Sequence, residues 1–95
     1  MIKLTVTYPK GDGITFNHEY YANSHVPMCE QAFNPARVEL DTGIDGPAVA
    51  SVSFYFADMD KFNAAMASPK MGEIMADLGN YTNGVPTMQI SKVVK

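Results

Sequence analysis

The sequence predicts an α+β fold of the ferredoxin-like type, a four-stranded antiparallel sheet with its helices on one face. Three observations carry this: four segments in which apolar residues recur at every second position, two in which they recur at helical spacing, and their order along the 95-residue chain, β-α-β-β-α-β. With 46% hydrophobic and 18% charged residues, the chain reads as one globular domain spanning residues 1–95, too short for a second core.

The first strand runs from Ile2 to Tyr8, with Ile2, Leu4, Val6 and Tyr8 on one side and Lys3, Thr5 and Thr7 on the other. Pro9-Lys10-Gly11-Asp12-Gly13 supplies turn chemistry, and Asn17 can cap a helix running from His18 toward Phe33. Pro27 lacks an N–H and disfavours helical geometry at Val26, so a kink, or two helical pieces meeting near His25, is expected. Arg37 to Ile44 and Ala48 to Phe56 alternate again across a turn at Gly43–Pro47 and read as a hairpin, with Val38, Leu40 and Ile44 inward. Asp58 is the expected N-cap of a helix over Met59–Ala67. Ser68-Pro69 restarts a helix that ends at Leu78 with Gly79 as C-cap. Thr87 to Val94 is the last strand.

Seven Lys and Arg are scattered singly in a chain of net charge −3, which offers no basic stripe for phosphates, so nucleic acid is not an expected partner. The alternating amino terminus is not a secretion signal, and no stretch approaches the roughly 18 apolar residues of a membrane span. Cys29 is the only cysteine, which excludes an internal disulfide and a thiolate zinc site and fits a cytoplasmic protein.

In this topology one sheet face has no helix over it. Its parity presents Thr5, Thr7, Ser51, Ser53, Tyr55, Thr87, Gln89 and Ser91, with charge limited mainly to Lys3, Glu39 and Asp41. A solvated face would carry more Lys and Glu, and a dry interface more Leu and Val. The mixture suits a partly enclosed, wet surface, although small polar β-formers coating an exposed sheet give the same pattern. A domain this small hides only about 60–65% of its unfolded surface, so a homodimer joined through these faces is expected.

The segment Tyr20-Tyr21-Ala22-Asn23-Ser24-His25-Val26-Pro27 resembles the Tyr-Tyr-x3-His-x-Pro signature of the EthD family, named for ethyl tert-butyl ether degradation. The opening Ile2–Pro9 and the tail Asn80–Ser91 are also similar to this family, so the resemblance covers essentially the whole chain. It implies a dimeric α+β barrel, an architecture shared with muconolactone isomerase-like enzymes, small cofactor-free monooxygenases and polyketide cyclases. It does not imply one reaction. Some members are described as reductases, but this chain has no Gly-x-Gly-x-x-Gly loop after a strand and no other nucleotide cradle, so no cofactor is expected.

His25 matches the family histidine and is the group best suited to exchange protons near neutrality. Its structural alternative is to satisfy backbone groups freed by Pro27. Tyr21, four residues earlier, can orient the imidazole, donate to a substrate oxygen, or simply fill the core, and Tyr20 lies one residue further back. Tyr81, with Asn80, can close a pocket mouth. The expected cavity lies between the sheet and the first helix, lined by Thr5, Thr7, Ser53, Tyr55, Gln89 and Ser91, with His25 facing it. Cys29 falls four residues after His25, but a lone helical cysteine without an oxyanion motif reads as a small buried hydrophobe. His18, His25 and Cys29 would bridge the Pro27 break, so no metal is expected. The seven methionines read as adaptable core filler. Two functions follow: acid–base catalysis by His25 and Tyr21 on an aromatic or polyketide-like carbonyl compound, by cyclisation, isomerisation or decarboxylation, or non-catalytic carriage of a small apolar or aromatic molecule. Haem ligation by His25 is a third chemistry that relatives of the fold permit.

Overall fold

In the computed structural model, which describes residues 1–95, the alternating segments become β1 (Ile2–Pro9), β2 (Arg37–Thr42), β3 (Ala48–Phe56) and β4 (Thr87–Lys92). They pair antiparallel in the order β2-β3-β1-β4, the ferredoxin-like arrangement. The register sorts the two parities onto two faces. Leu4 stands opposite Phe54 and Ile90, and Val6 opposite Val52 and Met88, so one face is apolar. Thr5 stands opposite Ser53 and Gln89, and Thr7 opposite Ser51 and Thr87, so the other is polar. Because side chains alternate with a period of two, a one-residue slip would exchange the faces, and burial of the apolar set therefore fixes the pairing.

Asn17 caps α1 (His18–Tyr20), its side chain accepting from the Tyr20 N–H at 3.0 Å. The break expected at Pro27 is a change of winding rather than an interruption. A π-helical segment spans Tyr21–His25, the Val26 N–H bonds back to the Tyr21 carbonyl, and α2 (Val26–Phe33) follows with Pro27 in its first turn. Proline has no N–H to contribute, so it sits where the hydrogen-bond ladder changes step, and such π segments recur at functional sites. Asn34, left-handed at φ 50°, ends α2 ahead of Pro35.

Asp58 caps α3 (Met59–Met66) by accepting from the Lys61 N–H at 2.9 Å. The second restart is shorter than expected: α4 covers Met71–Ala76 and a 3₁₀ turn covers Leu78–Asn80, with Gly79 inside the turn instead of capping a helix. Ile44 lies outside β2, fully exposed in the hairpin loop, and β4 stops before Val94. The core lies between the helices and the apolar sheet face, around Leu4, Val52, Phe54 and Phe56. Phe33 meets Phe54 edge-on at 5.4 Å, and Phe62 meets Phe56 at 5.8 Å. Burying each such side chain contributes about 1.5–3 kcal/mol. No helix is long and apolar enough to cross a membrane.

Candidate functional site

The helices leave a gap over the apolar face of β1, β3 and β4. Leu4, Val6, Val52 and Phe54 from the sheet and Met66, Met71, Ile74 and Leu78 from the second helical half enclose a cavity of about 290 Å³. Its rim carries Met75, Val85 and Met88, whose exposures of 66, 79 and 59% mark the open side. This is near the lower end of the roughly 300–1,000 Å³ of small-molecule sites. Neither Lys, Arg, Asp nor Glu lines it.

Polar atoms enter the cavity from one cluster. Tyr8 at the end of β1, Tyr21 and His25 from the π segment, Cys29 from α2 and Tyr81 after the 3₁₀ turn all line it and are all buried. Their rings are interlocked: Tyr21 stacks on His25 with centroids 5.5 Å apart, and Tyr81 lies 4.5 Å from His25 and 4.9 Å from Tyr21. Such pairs contribute about 0.5–1.5 kcal/mol each beyond their burial, so the cluster is a stiff platform.

Asp77, at the C-terminal end of α4, organises it from behind. Its Oδ2 lies 2.9 Å from His25 Nδ1, while Oδ1 accepts from the Tyr20 hydroxyl at 2.7 Å and the Asn80 amide at 2.9 Å. Burial acts to raise the Asp77 carboxyl, but hydrogen bonds from Asn80, Tyr20 and His25 outweigh it and hold it below the usual carboxylate range. Asp77 is therefore ionised at neutral pH and can only accept, which places a proton on Nδ1. In the neutral ring Nε2 then carries the lone pair. The Tyr81 hydroxyl, 3.3 Å away, donates to Nε2, and the Tyr8 hydroxyl donates to Tyr81 at 2.8 Å. Burial raises the pKa of Tyr8, Tyr21 and Tyr81, so all three remain neutral donors. The Cys29 sulfur sits 3.6 Å from Nε2, yet burial first, and the Asp77 charge second, push its thiol up to about 12. It stays protonated at neutral pH and is not a nucleophile.

No protein-family profile matches the chain. An uncharacterised 11.0 kDa protein from the thcB-thcC intergenic region of Rhodococcus erythropolis is 29% identical over 94 residues, 93% of this chain and 90% of the relative. Among solved structures, an EthD-like protein from Ralstonia eutropha JMP134 is 35% identical, with a TM-score of 0.89 over 99% of this chain and 92% of that one. The chain belongs to the EthD-like family. The fold extends further: SnoaB of Streptomyces nogalater, a cofactor-independent oxygenase, superposes with a TM-score of 0.74 at 13% identity, over 99% of this chain and 93% of that one.

In this EthD-like chain His25, Tyr21 and Tyr81 come together at the inner end of the cavity. Tyr20 is on the far side of Asp77 and does not line it. Thr5, Thr7, Ser53, Tyr55, Gln89 and Ser91 require a correction: none of the six lines the cavity between sheet and helices. Pleating forces this result, because each shares its face with residues directly opposite on neighbouring strands, and the helix-facing parity belongs to Leu4, Val6, Val52, Phe54 and Met88. On the polar face Thr5 Oγ1 lies 3.4 Å from Ser53 Oγ, and Tyr55 donates to Glu39 at 2.6 Å.

Sequence reasoning missed Asp77 and Tyr8. Asp77 had one local signal, an acid at a helix C-terminus, where the macrodipole disfavours negative charge and a tertiary partner is needed to offset it. Tyr8 read as an inward core residue; only its hydroxyl on Tyr81 reveals more.

Proposed function

We propose that this protein catalyses proton transfer at a carbon beside the carbonyl of a compact aromatic or polyketide-like compound, as in a cyclisation or isomerisation. The observation that carries this is the His25 imidazole, which lines an apolar cavity, is held through Nδ1 by Asp77 and has Nε2 beside the Tyr81 hydroxyl. His25 Nε2 takes the proton: the C–H bond breaks, its electron pair moves into the enolate, and Asp77 stabilises the imidazolium formed. Tyr81 meets Nε2 at 3.3 Å, a long hydrogen bond that is easily surrendered as its hydroxyl turns to the enolate oxygen. The imidazolium then returns the proton to another carbon or to oxygen, so atoms and charge balance without a cofactor. The fold's occurrence in a cofactor-independent oxygenase agrees with chemistry carried by side chains.

The same reading includes a homodimer with the polar faces opposed. Thr5, Thr7, Ser53 and Tyr55 then lie at the interface, and the cavity stays within each protomer.

Deuterium exchange at the carbon next to the carbonyl of 2-tetralone, followed by NMR in D₂O, tests the proposal. The wild type should accelerate exchange, and His25→Gln should lower the rate by roughly 10²- to 10⁴-fold with the fold intact by circular dichroism. Binding without acceleration, or an equally fast His25→Gln protein, would overturn the enzymatic reading and leave a carrier.

A further inference from the structure

We infer that the cavity selects an uncharged compound bearing a single hydroxyl or carbonyl oxygen at its inner end, that Tyr21 anchors this oxygen, and that carboxylates of the same shape are refused. This deepens the reading of the cavity as a small-molecule site, and it concerns binding alone.

Tyr21 is 1% exposed and lines the cavity, yet its hydroxyl is the one buried side-chain polar atom without a hydrogen-bond partner. Leaving a buried hydroxyl unpaired costs free energy, and a neighbouring group normally satisfies it. Tyr8 gives its proton to Tyr81 and Tyr81 gives its own to His25, so neither has a proton left for the Tyr21 oxygen, and no neighbouring acceptor stands in hydrogen-bonding geometry to the Tyr21 hydroxyl. A ligand oxygen at the inner end satisfies Tyr21 without disturbing that chain.

Charge selection follows from what surrounds this oxygen. The walls are aliphatic and aromatic, no cationic Lys or Arg reaches the cavity, and the nearest fixed charge is the Asp77 carboxylate behind His25. An anionic ligand would shed its hydration without a Lys or Arg partner and would lie close to a like charge, both unfavourable in a buried site. A neutral phenol or ketone pays only a modest desolvation cost, which Tyr21 offsets. A decarboxylation, whose substrate enters as a carboxylate, is therefore less compatible with this cavity than a cyclisation or an isomerisation.

Naphthalene, 2-naphthol and 2-naphthoate share one ring system, and its fluorescence reports binding of all three to the full-length protein at neutral pH. The wild type should bind 2-naphthol tighter than naphthalene, and 2-naphthoate at least about 100-fold more weakly than 2-naphthol. Tyr21→Phe should weaken 2-naphthol about 3- to 10-fold while leaving naphthalene unchanged, the signature of one lost neutral hydrogen bond. Its melting temperature should stay level or rise, because the substitution removes an unpaired buried hydroxyl. Equal affinity for 2-naphthoate and 2-naphthol would overturn the inference, as would equal weakening of naphthol and naphthalene, a lowered melting temperature, or no binding of any probe. Loss of deuterium exchange in a protein that retains this selectivity would instead overturn only the catalytic reading.

Discussion

Replacing Asp77 with Asn keeps the shape of the side chain and removes its charge, and the structure gives the size of the effect. The carboxylate accepts hydrogen bonds from Tyr20, Asn80 and His25 at 2.7, 2.9 and 2.9 Å. Hydrogen bonds to a charged group contribute about 1.5–3 kcal/mol and neutral ones about 0.5–1.5. Asn retains one acceptor oxygen for Tyr20 and Asn80 and turns its amide donor toward His25 Nδ1. Each of the three bonds thus weakens by about 1–1.5 kcal/mol, a net loss of roughly 3–4.5 kcal/mol, which for a domain of this size lowers Tm by roughly 12–35 °C. The difference should shrink in acid. The Asp77 carboxyl is held below its unfolded value of about 3.9, so its contribution is complete above that pH and vanishes as pH falls through the lower folded value. The amide donor also moves the His25 proton to Nε2, removing the base. Long-range ¹H–¹⁵N NMR should show the Nδ1–H tautomer in the wild type and Nε2–H in Asp77→Asn, with proton-transfer rate falling about 10²- to 10⁴-fold. An unchanged tautomer together with an unchanged Tm would refute the assignment of Asp77 as the positioning residue for His25.

Cys29, buried and with its thiol pushed up to about 12, should resist a thiol-reactive disulfide reagent near pH 8, reacting at least about 10³-fold slower than in denaturant; labelling at comparable rates would show the α2 packing to be wrong. The polar sheet face should join two copies over about 1,600 Å² or more. Sedimentation should then report a dimer at micromolar concentration that Thr5→Lys dissociates, whereas a wild-type monomer, or a dimer indifferent to Thr5→Lys, would eliminate this interface.

Much of the fold was legible because its determinants are local. Alternation in Ile2–Tyr8 and Ala48–Phe56 names the two central strands, and Asn17 and Asp58 cap the helices where short polar side chains precede helical spacing. The extent of β2 was overcalled at Ile44, since one more alternating residue cannot reveal that its strand has run out of partners. His25 and Tyr21 could be singled out because they sit in one short motif. Asp77 could not be joined to them, for it lies 52 residues beyond His25 and meets it only once α4 docks beside the π segment. Which sheet face holds the cavity was likewise beyond reach of the sequence. Parity separates polar Thr5 and Ser53 from apolar Val6 and Val52, but space over either set depends on how closely whole elements approach. Strand and helix identity follow from neighbours along the chain; a cavity and a buried hydrogen-bond network are made by distances across it, which only tertiary packing sets.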